Sequence, residues 1–154
     1  MQSAPLRTAT GLVAFAAFLP LAALAAPKPF VGPAGWDHTV GAVAAQSLPR
    51  AQETWKKSDG QQLIYLADGG LAYDDIVALV KKNITDNAIK TAVDKDRTCD
   101  GHRAHEVEMT FAPTIVHQII IDNSPGVTKL TYTRPDGMAM NADATAALAA
   151  YCGP

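Results

Sequence analysis

The chain has 154 residues, with 13 lysines and arginines against 15 aspartates and glutamates and a formal net charge of −2 at pH 7. That balance lacks the basic stripe that a nucleic-acid partner requires. The length suits a single domain.

The first 25 residues differ from the rest. Arg7 and the amino terminus give a weakly positive start, "GLVAFAAFLPLAALAA" follows as an apolar run, and no acid precedes Asp37. This is the layout of a secretory signal peptide, with Ala23 and Ala25 as the small-x-small pair and a cut after Ala25. Pro20 interrupts the run, which falls short of the roughly 20 unbroken apolar residues of a membrane span. The expected organisation is therefore a signal peptide over 1–25 and one domain over 26–154, without a membrane span after cleavage. Without Arg7, twelve basic groups stand against fifteen acidic ones, a net of −3.

In chain order, "APKPFVGPAGW" (26–36) reads as an extended opening, because proline fixes φ and restricts the residue before it. Trp36 is expected to dock on the core. "HTVGAV" reads as a short strand and "AAQSLPRA" (44–51) as a loop. "QETWKKSDGQQLIYLADGG" has the form of a hairpin with Ser58-Asp59-Gly60 as its turn.

"LAYDDIVALVKKNI" is the clearest helix. Tyr73, Val77, Val80 and Ile84 form its apolar stripe with Ile76 beside it. Asp74 and Asp75 fall in its first turn, with Lys81 and Lys82 expected in its last, as the helix dipole favours. Residues 85–97 are polar, with a short helix expected at "NAIKTAV".

"AHEVEMTFAPTIVHQIIID" predicts a second hairpin about Ala112-Pro113. With Phe111 opposite Ile115, the set His105, Val107, Met109 and Phe111 joins Ile115, His117, Ile119 and Ile121 on one face. Glu106 and Glu108 are then left on the solvent side. "SPG" turns into a third strand, "VTKLTYT", and "RPDG" is a further turn. "NADATAALAAYC" closes the chain as a helix capped by Asn141 or Asp143. The fold class expected is α+β, an antiparallel sheet with helices packed on it.

With those elements placed, the chain resembles the PsbP-like superfamily of small exported α/β/α sandwich proteins. The similar features are the opening "FVGPAGW", the tryptophan-bearing strand before "QLIYLADG", the helix "YDDIVALVKKNI" and "CDGHRAHEVEMTF" leading into a strand-rich second half. They span most of residues 29–152. The resemblance implies an α/β/α sandwich and binding or assembly roles more than catalysis, and it carries no functional residue onto this chain. Cystatin-like folds also place a helix before an antiparallel sheet.

The candidate chemistry centres on Cys99, His102 and His105. Export places Cys99 and Cys152 in an oxidising compartment, where an even pair reads as a disulfide. A zinc reading would need a thiolate, two imidazoles and a fourth ligand or water. Against it, Cys99 has an oxidised partner in Cys152, and His102 and His105 point to opposite faces of a strand. His117 lies too far along the expected hairpin to join His105.

His117 reads as a hydrogen-bonded core residue and His38 as an exposed one. Asp94, Asp96 and Asp100 invite a calcium reading, but an EF-hand loop from Asp94 would need glycine at Cys99 and glutamate at His105. Ser47, Ser58 and Ser124 lie in turns or loops, none within G-x-S-x-G. "DGGLA" is neither a phosphate loop nor a dinucleotide fingerprint.

No cofactor is implied. The expectation is an exported, non-enzymatic domain, periplasmic or extracellular, that binds a protein or cell-envelope component. The alternative is a secreted metal- or small-ligand-binding protein, or a weak hydrolase, using His102 and His105.

Overall fold

The computed structural model describes residues 28–41 and 50–153. The expected signal peptide and its cut after Ala25 lie outside them, as does most of the expected loop at 44–51. Nine elements follow in order: β1 (Asp37–Val40), β2 (Arg50–Lys56), β3 (Gln62–Asp68), α1 (Tyr73–Asp86), β4 (Lys90–Cys99), β5 (His102–Phe111), β6 (Thr114–Asn123), β7 (Gly126–Pro135) and α2 (Ala142–Cys152). The strands form one antiparallel sheet in the order β1-β2-β3-β7-β6-β5-β4. The β2–β3 hairpin forms as expected and turns through Ser58-Asp59-Gly60, where the Gln61 amide donates to Asp59 Oδ1. Its β2 arm begins at Arg50, so Arg50 and Ala51 belong to a strand and not to a loop.

Strand alternation sorts the core into two layers. Leu63, Tyr65, Ile119, Ile121, Leu130 and Tyr132 pack with Ala144, Leu148 and Tyr151 of α2. Ile120 and Val127 point the other way and pack with Tyr73 and Val77 of α1, with Ile76 and Val80 alongside. Successive residues of a strand face opposite sides, so α1 and α2 cover opposite faces of the sheet. The opening segment joins the α2 layer. Phe30 meets the rings of Trp55, Tyr65 and Tyr151 at 5.1, 5.8 and 5.6 Å between centroids. Gly32 lies against the Trp55 indole, where a Cβ would overlap the ring. The "FVGPAGW" opening is thus built to lie flat on the core, and Trp36 is buried beside it.

α2 starts at Asn141, whose side chain accepts from the amides of Asp143 and Ala144, so Asn141 is the cap of the two candidates. α1 runs on to Asp86 and carries no basic residue in its last turn. Lys81 and Lys82 therefore sit a turn earlier than expected.

Two expectations need correction. The helix at "NAIKTAV" does not form. Asn87 ends α1 by donating to the Asn83 carbonyl, Ala88 takes a left-handed φ of 49°, and the chain enters β4 at Lys90. Its residues are charged on both faces, so polarity does not reveal the strand period. The second correction concerns the β5–β6 register, which is one residue away from the expected one. Phe111 opposes Thr114, Glu108 opposes His117, and Glu106 opposes Ile119. Two-residue closure at Ala112-Pro113 sets this alignment. Both faces of the sheet are covered, so each register buries apolar residues and the alternation alone does not choose between them.

Candidate functional site

Cys99 and Cys152 form a disulfide across 53 residues. Both are buried, and the bond ties the end of α2 to the β4–β5 turn. The Asp100 amide adds a hydrogen bond to the Cys152 carbonyl at 2.6 Å. Closing a loop of this length contributes about 4 kcal/mol in the chain-entropy view. The turn itself is Asp100-Gly101, with φ of 53° and 78°. Positive φ at both central residues is the type I′ geometry that suits a two-residue hairpin.

With Cys99 oxidised, the Cys99–His102–His105 set has no thiolate to offer. His102 is exposed on the α2 face, while His105 is buried on the α1 face. The sheet thus separates the two imidazoles. Among the described residues, no three histidine, cysteine, aspartate or glutamate side chains are arranged to hold a metal ion.

His105 is instead held by β4. Its Nδ1–H donates to Asp96 Oδ1 at 2.8 Å. Its Nε2 lies 3.1 Å from Asp94 Oδ1 but, by direction, makes no hydrogen bond. The bond from His105, followed by the charge of Lys81, holds the Asp96 carboxyl below its ordinary value. Nearby, Arg103 bridges Asp74 at 2.9 Å and Asp122 at 2.5 Å and stacks over the Tyr73 ring. The helix-start acid Asp74 thereby clamps α1 to β5. Asp100 pairs with Lys28 at 2.9 Å, so the three aspartates of the calcium reading do not converge.

His117 occupies the mirror position on the α2 face. Its Nδ1 is 3.3 Å from Glu108 Oε2 and its Nε2 is 3.2 Å from Glu106 Oε1. The expectation that these glutamates face solvent is overturned, since their side chains are only 11% (Glu106) and 16% (Glu108) exposed. Cations meet them there. Arg134 takes Glu108 with two nitrogens, at 3.1 and 3.2 Å, and donates through Nε to the Met138 carbonyl. Arg97 and Lys95 reach Glu106 at 3.1 and 3.5 Å. Burial alone would raise the Glu108 carboxyl, yet hydrogen bonds and charge from Arg134, then His117, hold it below its ordinary value.

His38 lies near the opposite end of the same strand row, stacked on Trp55 at 4.6 Å and bonded to Glu53 at 2.8 Å. Ser58 and Ser124 sit in turns, and Ser47 lies outside the described residues.

The buried ionisable groups of both clusters are thus engaged with one another. The Arg134–Glu108 and Arg97–Glu106 pairs escaped sequence reasoning because they depend on the register. A signal for them exists nonetheless. β4 carries Lys95 and Arg97 on one face and Asp94 and Asp96 on the other, and β5 sets Glu106 opposite Lys95 and His105 opposite Asp96. No family model, curated protein or solved structure matches the chain.

Proposed function

We propose that this protein is an exported, non-enzymatic domain that binds a protein or cell-envelope component, held in its folded form by the Cys99–Cys152 bond. The observation that carries the reading is how the polar groups are distributed. Glu106, Glu108, His105 and His117 are engaged in ion pairs and hydrogen bonds with neighbouring charged side chains. A ten-residue strand, β4, meanwhile forms a sheet edge and pairs only with β5 among the described strands. A disulfide of this kind persists in oxidising compartments, which fits a periplasmic or extracellular protein delivered by the 1–25 segment.

Placement in the PsbP-like superfamily belongs to the same proposal. It is supported by the "FVGPAGW" opening seated on the core, by the helix after the third strand and by the closing helix. Fold likeness gives no partner, so the partner must be sought directly. Oxidised 26–154 immobilised and exposed to an envelope extract is expected to retain a partner saturably, and competition with free domain is expected to release it. Absence of saturable capture at any salt, together with turnover of a small substrate by the purified domain, would reverse the reading.

A further inference from the structure

The sheet has two edges, and they are not equivalent. β1 is four residues long, whereas β4 is ten and pairs only with β5 among the described strands. The backbone groups that β4 offers outward follow from its turn. A two-residue type I′ hairpin closes on a hydrogen-bonded pair, here Cys99 with His102. Hydrogen-bonded and non-hydrogen-bonded pairs then alternate along the ladder. Arg97 and Lys95 consequently bond to β5, and the N–H and C=O groups of Thr98, Asp96 and Asp94 point away from the sheet. The run ends at a bulge between Thr91 and Val93.

The side chains on this edge are sorted by sign. Lys95 and Arg97 stand on the α2 face; Asp94 and Asp96 stand on the α1 face. Asp96 is 79% and Lys95 is 62% exposed. Two copies of β4 related by a two-fold axis through the extended sheet must pair residues of the same face. Every such register near the centre sets like charges together: Lys95 on Lys95 with Asp94 on Asp96, or Asp96 on Asp96 with Lys95 on Arg97. Like charges directly opposite one another destabilise a strand pair. The edge therefore resists self-association, a common device for exposed strands, while its outward hydrogen-bonding groups, apart from the Thr98 carbonyl that accepts from Arg97 Nε at 3.2 Å, remain available to a different strand.

We infer that β4 is a docking edge for an extended segment of the partner, one that pairs antiparallel with Asp94–Thr98 and alternates in charge. Acids on the docked segment face Lys95 and Arg97; bases face Asp94 and Asp96. The inference rests on the partner-binding reading above. The molecule already contains a strand of this chemistry. β5 presents Glu106 to both Lys95 and Arg97, and His105 to Asp94 and Asp96. Main-chain bonds would supply affinity and alternate side chains selectivity, as in other strand-addition complexes.

The test uses the oxidised wild-type domain and three ten-residue peptides. One has the sequence of residues 102–111; one has lysine at both glutamate positions; one is N-methylated at the positions of His105 and Val107. The first is expected to slow amide exchange at Asp94, Asp96 and Thr98 on the order of tenfold at saturation. The second is expected to bind about tenfold more weakly, and the third not to slow these amides. No slowing with the first peptide at millimolar concentration overturns the inference, as does equal slowing with all three. A captured envelope partner that leaves these amides unprotected sinks the docking edge and spares the functional reading. Peptide binding without any envelope partner does the reverse.

Discussion

His105 and His117 sit on opposite faces of one sheet, and each is placed by the same local plan. A histidine on one strand stands beside two acids spaced two residues apart on the next: Asp94 and Asp96 for His105, Glu106 and Glu108 for His117. The surroundings differ. The aspartates belong to the edge strand and reach into water, so solvent stabilises them, and among the described residues no arginine forms an ion pair with them. The glutamates lie one strand further in, where their charge must be met by Arg134, Arg97 and Lys95. The same motif is thus a surface pair on one face and a buried network on the other. Distance from the sheet edge, more than residue type, decides which.

The largest expected effect concerns the covalent bond, which only the α2 face carries. Cys152→Ser should lower the unfolding free energy by about 4 kcal/mol, read from urea denaturation under non-reducing conditions. A loss below about 1 kcal/mol would mean that the α2 layer stands without it. Next comes the buried network. Arg134→Met strands a buried carboxylate and should cost about 3 kcal/mol, and adding Glu108→Gln should restore most of it, because an uncompensated buried charge is the chief penalty. If the double variant is no more stable than the single one, Arg134 acts by packing alone.

The third prediction separates the faces by acid. The Glu108 carboxyl is depressed from an ordinary value of 4.5 and that of Asp96 from 3.8. A depressed group stabilises the fold fully above its unfolded value, and that contribution is lost as pH falls through the folded value. Urea midpoints should therefore fall below pH 4.5, with a shallower fall in Glu108→Gln. Carboxyl NMR titration should place both groups under their ordinary values, and a Glu108 midpoint at or above 4.5 would break the account of its pairing. The smallest effect is expected from Asp96→Asn on the exposed face, whose urea midpoint at pH 7 should fall only slightly, because solvent screens the pair.

Much of this architecture was legible. The stripe from Tyr73 to Ile84 marked α1, the alternation in "TIVHQIII" marked β6, and the two cysteines marked the staple. Asp100-Gly101 was equally legible as a hairpin turn, but the weighing of a disulfide against a metal at Cys99, His102 and His105 passed over it. β4 was hidden for a physical reason. Its faces differ in the sign of charge and not in polarity, so an apolar-polar period does not show. The β5–β6 register was hidden because both sides of the sheet are covered, which removes the hydrophobic criterion. What sets it is the two-residue closure at Ala112-Pro113, and Arg97 and Arg134 from two other strands meet the glutamates that this register buries.

The chain holds two cysteines in all, and this has a consequence for maturation. A pair of thiols has a single connectivity, so no mismatched isomer within the chain exists to be sorted. Any oxidant that reaches both sulfurs gives the native linkage, and a shuffling catalyst has nothing to correct.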